Sequence, residues 1–169
     1  EYQFANISHV DASFIAGFDT IILTKMSLSS SQVTLLRDYV FVGGNLIAFQ
    51  PDSAIASVFG LTSLGTVTSE GYIKVDNSTN IGMGIVGETI QFHGTADNYA
   101  LNGASAIATL YADAFTSTPY PAVAVYTYGS GTSVFFAYDL PKCVVYLRQG
   151  NPAQANVETD GVPGLRPSD

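Results

Sequence analysis

Apolar and polar positions follow two different rhythms along this chain. Residues 18–24, Phe-Asp-Thr-Ile-Ile-Leu-Thr, form a nearly unbroken apolar, β-branched run, the pattern of a strand covered on both faces. Val33, Leu36, Tyr39 and Val40 then recur at helical spacing, behind a Ser29/Gln32 capping box and ahead of the stop at Gly43-Gly44. Asn45 to Phe49 reads as a second buried strand. A strand, a helix and another strand in succession predict parallel pairing through a right-handed crossover. Upstream, residues 1–7 alternate weakly as a strand, and residues 11–16 fit a short helix capped by Asp11 and ended by Gly17. The fold class expected from this half is α/β: a three-layer sandwich around a mainly parallel central sheet, of flavodoxin-like kind.

Beyond Phe49 the rhythm shortens. Pro51-Asp52-Ser53 opens a short helix over residues 54–59, closed by Gly60, and strands and turns follow. Residues 72–75, 89–92 and 104–111 read as strands, with a glycine-rich loop at 82–87. Residues 122–126 and 133–138 flank Gly129-Ser130-Gly131 as a β-hairpin. Asp139 and Pro141 start a helix expected to turn Val144, Val145 and Leu147 inward. From Gln149 onward apolar residues thin out, so the division expected is a domain over residues 1–148 and an irregular tail over 149–169.

Composition narrows the function classes. Apolar residues make up 47% of 169 and charged ones 12%, which excludes long disorder and a coiled coil. Six basic against fourteen acidic residues leave a net charge of −8, a field that repels phosphate backbones, so no nucleic-acid partner is expected. No apolar run reaches the roughly 18 residues that span a bilayer. The single cysteine, Cys143, cannot form an internal disulfide. Two sequons, at Asn6 and Asn77, with low charge and many Ser, Thr, Gly and Tyr, favour an extracellular or cell-surface, glycosylated protein.

Three segments carry a resemblance. Phe-Asp-Thr-Ile-Ile-Leu with Tyr-Val-Phe-Val-Gly-Gly-Asn-Leu-Ile-Ala-Phe, within residues 18–61, is similar to the class I glutamine-amidotransferase-like fold. Residues 91–99, Gln-Phe-His-Gly-Thr-Ala-Asp-Asn-Tyr, and the stretch from Ala137-Tyr138-Asp139-Leu140 to Gly150-Asn151-Pro152 resemble an uncharacterised domain of that superfamily. That domain is found near the start of large proteins that can also carry a polysaccharide-deacetylase-like domain. The resemblance implies a chain lacking its first strand and helix, with flanking domains and carbohydrate as partners. Active amidotransferases expose a nucleophilic cysteine on a Gly-x-Cys-x-Gly elbow beside a histidine. Cys143, in Pro-Lys-Cys-Val-Val, has no such setting, so catalysis is not expected from it.

The remaining candidates are polar side chains in the two most specific segments. His93 and Asp97, four residues apart around Gly94-Thr95, could act as a base with its carboxylate, or as a backbone-bonded turn. Asp139 is either a helix cap or a ligand group at the end of a strand. Arg148, Gln149 and Asn151 suit carboxylate or sugar hydroxyls, or else hold the tail, with Asp139, Asp97 or Glu158 as partners for Arg148. With His9 remote from His93, no metal site is expected, and no cofactor motif is present. Three readings stand: a non-catalytic scaffold or binding module of a carbohydrate-related protein, a free-standing lectin or self-assembling protein, and a hydrolase using His93, Asp97, Asp139 and Arg148.

Overall fold

The structure is a computed structural model that describes residues 2–150. Between residues 11 and 49 the helices and strands form at the positions the apolar rhythm predicts. Helix α1 (Ala12–Ile15) is capped by Asp11, whose carboxylate accepts from the Phe14 N–H at 2.8 Å. Strand β1 (Thr20–Leu23), helix α2 (Ser30–Phe41) and strand β2 (Asn45–Phe49) follow, with both bonds of the Ser29/Gln32 capping box made. β1 and β2 pair in parallel, Thr20 opposite Asn45 and Leu23 opposite Ala48.

A 3₁₀ helix, Ser53–Phe59, then leads into seven strands: β3 (Leu61–Ser69), β4 (Tyr72–Val75), β5 (Ile90–Gln91), β6 (Thr95–Leu101), β7 (Ser105–Tyr111), β8 (Ser117–Tyr128) and β9 (Gly131–Phe136). Helix α3 (Leu140–Gln149) follows. β9 returns beside β2 and runs parallel to it, so the main sheet has the order β1-β2-β9-β8-β7-β4-β5. β3 and β6 form a separate antiparallel pair.

This overturns the expected three-layer sandwich with a mainly parallel sheet. Only β1-β2 and β2-β9 are parallel, and the other four pairings of the main sheet are antiparallel. The described chain is 24% helical and 38% strand, a curled, mixed sheet resembling half a barrel. The physical reason lies in the connections. A parallel return needs a crossover of a dozen or more residues, whereas β7-β8 and β8-β9 are joined by tight turns that permit only antiparallel hairpins. Register shifts along β7 and β8 bend the sheet.

Three local expectations also fail. Residues 2–6 form no strand, and a 3₁₀ turn follows at Ile7–His9, because Asn6 Oδ1 captures the Ser8 N–H at 3.0 Å and competes with strand pairing. β1 is not buried on both faces, for it is the outer strand of the sheet and Ile22 is 62% exposed. Val144, Val145 and Leu147 of α3 do not turn inward, and each is nearly half exposed while Cys143 alone is buried. The tail from 151 on, with Asn151 and Glu158, lies outside the described residues.

The core occupies one side of the parallel strands. Leu46, Ala48, Ser133 and Phe135 share the face covered by the 3₁₀ helix and the β3-β6 pair: Phe135 meets Phe59 at 5.9 Å and Tyr99 at 4.9 Å between ring centres, and the Ser133 hydroxyl donates to Val58 O at 2.7 Å. α2 buries Leu36, Tyr39 and Val40 against the same body. On the opposite face Ile22, Ile47 and Val134 lie in register across three strands, and none of them is buried.

Candidate functional site

Open α/β arrangements bind ligands beyond the carboxyl ends of parallel strands. Here that edge opens into a cleft of about 650 Å³, with walls from the segment after β1 (Lys25, Met26), the segment after β2 (Gln50, Asp52), the β3 bend (Thr66, Val67) and β6 (Asp97, Tyr99). β6 reaches the edge because the Asp97 N–H donates to Ala137 O at 2.9 Å, just past the end of β9.

Gln50 is the centre of this construction. It is 4% exposed and adopts φ of 44°, the left-handed region where a side chain costs about 1 kcal/mol or more. Its Oε1 accepts from Lys25 Nζ at 3.0 Å, its Nε2 donates to Thr95 Oγ1 at 3.3 Å, and its N–H donates to Phe136 O at 2.9 Å. One strained residue thus ties the ends of β1, β2, β6 and β9 together.

Asp52 fixes the next wall. Its two oxygens accept from the Leu28 N–H at 3.0 Å and the Ala54 N–H at 2.9 Å, linking the turn before α2 to the start of the 3₁₀ helix. The Ala54 and Leu28 amides hold this carboxyl below its ordinary range. Tyr99 is 1% exposed, and burial, reinforced by the charges of Asp97 and Asp52, pushes its phenol up to about 12. Behind the β3 bend, buried Asn98 accepts from the Thr68 hydroxyl at 2.9 Å and donates to the Thr66 hydroxyl at 3.1 Å, which fixes Thr66 at the rim.

The residues singled out from the sequence do not form one cluster. Asp97 lines the cleft. His93 turns instead to Glu70, with Nδ1 at 3.2 Å from Glu70 Oε2, while the other Glu70 oxygen accepts from the Gly94 N–H at 2.6 Å. Asp139 caps α3 by accepting from the Lys142 N–H at 3.1 Å. Arg148 and Gln149 lie exposed in the last turn of α3, and among the described residues Arg148 makes no ion pair. The expected bonds from Arg148 to Asp139 or Asp97 are therefore absent, and Asn151 falls outside the described residues. The loop after Phe92 and the start of α3 do adjoin, since Cys143 Sγ donates to His93 O at 3.2 Å. Cys143 is buried, and that burial pushes its thiol up, the reverse of what a nucleophile needs.

Sequence reasoning missed Lys25, Gln50, Asp52 and Tyr99. The available signal was positional, as Gln50-Pro51-Asp52 follows directly on β2 and Lys25 lies two residues past the end of β1. Among the described residues no three His, Cys, Asp or Glu side chains converge as a metal site, and no helix is long and apolar enough to cross a membrane.

No family model matches the chain, and no curated protein matches it. Solved structures do share its fold. A β-galactosidase from Rahnella sp. R3 aligns with a TM-score of 0.57 and 19% identity over 72% of this chain and 20% of its own. The exo-β-1,4-mannosidase Op5Man5 from Opitutaceae bacterium strain TAV5 aligns with a TM-score of 0.58 and 18% identity over 77% of this chain and 22% of its own. The cytoplasmic protein STM3548 from Salmonella typhimurium aligns with a TM-score of 0.60 and 13% identity, over 79% of this chain and 66% of its own. Such identities establish the fold alone. The chain spans about a fifth of the length of the two glycosidases.

Proposed function

We propose that this chain is a non-catalytic binding module of a carbohydrate-related protein, holding a sugar in the cleft at the ends of β1 and β2. The observation that carries this reading is the lining of the cleft: an ammonium (Lys25), carboxylates (Asp52, Asp97) and a hydroxyl (Thr66), beside the apolar Met26 and Val67. Sugar hydroxyls each donate and accept, so a donor-rich and an acceptor-rich wall suit them, while apolar side chains suit the C–H face of a pyranose. The shared fold with a β-galactosidase and a mannosidase supports the same ligand class.

Hydrolysis is the weaker reading. A glycosidase needs two carboxyl groups free to face one glycosidic bond, and both oxygens of Asp52 are taken up by the Leu28 and Ala54 amides. The hydrolase set of His93, Asp97, Asp139 and Arg148 is dispersed over the Glu70 pair, the cleft, the α3 cap and an exposed helix end. Kinship with the non-catalytic amidotransferase-like domains belongs to the proposal and is supported by the β1-α2-β2 unit and the helix-bound Cys143. So does an extracellular or cell-surface setting, supported by the exposed Asn6 and Asn77 sequons.

Calorimetric titration with galactose- and mannose-terminated oligosaccharides tests the module. Saturable binding that Asp97→Asn and Lys25→Ala each abolish, with circular dichroism unchanged, is expected. Release of p-nitrophenol from p-nitrophenyl β-galactoside or β-mannoside, or no binding to any sugar, overturns the proposal.

A further inference from the structure

Four titratable side chains line the cleft: Lys25, Asp52, Asp97 and Tyr99. Their charges do not cancel, because two carboxylates stand against one ammonium, and among the described residues Lys25 makes no ion pair with either of them. The Lys25 ammonium donates instead to a neutral group, Gln50 Oε1. Both oxygens of Asp52 accept from backbone amides. The Asp97 carboxylate differs, for it accepts no hydrogen bond from any described side chain or amide. Tyr99 supplies an independent observation. It is 1% exposed, its ring packs on Phe135, and its hydroxyl makes no hydrogen bond with any described residue. Among the described residues no sealed-off side-chain oxygen lacks a partner, so the unbonded phenol oxygen is reached from the cleft that Tyr99 lines. Asp97 and Tyr99 alternate along β6 and share a face; their opposite numbers on β3, Val67 and Ser63, line the cleft with them. Burial first, then the charges of Asp97 and Asp52, pushes the phenol up to about 12, so it keeps its proton through neutral pH.

We infer that the sugar held in the cleft is an amino sugar with a free, protonated amine, its ammonium seated between the Asp97 carboxylate and the Tyr99 phenol oxygen. The inference rests on the sugar-binding reading of the cleft and narrows its ligand class. Both groups present lone pairs that no described residue fills. An ammonium brings three N–H donors and a positive charge, so it serves both acceptors at once, Asp97 through a charge-assisted bond roughly twice as strong as a neutral one. A hydroxyl brings one donor and no charge. An acetamido group brings one N–H, no charge and added bulk, and a sugar carboxylate would meet two carboxylates of its own sign while Lys25 is turned to Gln50. Over longer range the net charge of −8 draws a cationic glycan toward the chain and repels an anionic one.

Calorimetric titration with oligosaccharides that differ only at C2 of the terminal residue separates this inference from the reading beneath it. The three carry an ammonium, an acetamido group or a hydroxyl there, each in gluco and galacto configuration. At pH 6 the amino sugar is expected to bind roughly tenfold or more tighter than its hydroxyl counterpart. That advantage disappears as the pH rises through the sugar amine's own titration, while the affinity for the hydroxyl sugar stays level. Free lysine, which offers the ammonium without the ring, binds at least tenfold more weakly than the amino sugar. Tyr99→Phe keeps the ring against Phe135 and lowers the affinity for the amino sugar several-fold, with circular dichroism and melting temperature unchanged. Equal binding of the three sugars, preference for the acetamido sugar, an advantage that survives deprotonation, lysine binding as tight as the amino sugar's, or indifference to Tyr99→Phe overturns the inference and leaves the sugar-binding module standing. Failure of every sugar to bind overturns both.

Discussion

Lys25 Nζ donates to Gln50 Oε1 at 3.0 Å, joining the ends of two adjacent parallel strands through a residue whose backbone is held at φ of 44°. The side-chain bonds of Gln50 and the strain of its backbone act in opposite directions, and two substitutions separate them. Gln50→Ala removes the bonds and keeps the strain, so thermal unfolding should show a loss of about 1–3 kcal/mol. Gln50→Gly removes both, and should be more stable than Gln50→Ala by about 1 kcal/mol. Equal stability of the two variants would mean that the left-handed conformation relaxes when the amide is gone.

Asp52 makes the stability of the domain depend on pH. Its folded carboxyl lies below the unfolded value of about 3.9, so its contribution is present above that value and disappears as the pH falls through the folded value. Asp52→Asn keeps one acceptor oxygen and loses the other, so one of the two amide bonds goes and the change should cost about 1 kcal/mol at pH 7. The gap between the two proteins should close in denaturant titrations below about pH 4. A gap that stays constant down to pH 2 would assign the loss to packing.

Cys143 should behave as a buried structural thiol. It is 3% exposed, its thiol is pushed up by burial, and it donates to His93 O. The native protein should not react with a mild aromatic disulfide reagent on the timescale at which the urea-unfolded chain reacts completely. Cys143→Ala should cost about 1 kcal/mol and leave sugar binding unchanged. Stoichiometric labelling of the native thiol would contradict this placement.

Gly44 is constrained by a close approach. A Cβ at this position would overlap the ring of Tyr39, whose hydroxyl donates to Phe18 O at 2.8 Å and so cannot move freely. Gly44→Ala should destabilise by about 1–3 kcal/mol. In a Tyr39→Leu background the same change should cost much less, and the difference between the two costs, read from urea unfolding, is the coupling between them.

Local chemistry made much of the chain legible. The Ser29/Gln32 capping box, the Gly43-Gly44 stop, the Asp139 cap and the Gly129-Ser130 turn each depend on residues a few positions apart, and each forms where the residues indicate. The parallel pairing of β1 and β2 belongs to the same class, since the helix between them makes the crossover. What only the tertiary structure decided were the partners brought from afar. His93 meets Glu70 and not Asp97, because β3 and β6 pair antiparallel and bring Ser69 opposite Thr95, beside both. Gln50 gains Thr95 and Lys25 from two other segments, so its left-handed turn is held by bonds that no neighbouring residue announces. An apolar run shows that a face can be covered but not that anything covers it. Residues 20–23 read as a buried central strand, yet they became the edge of the sheet with Ile22 bare, because residues 2–6, which also read as a strand, form none, and the rest of the sheet is added beyond β2 through β9.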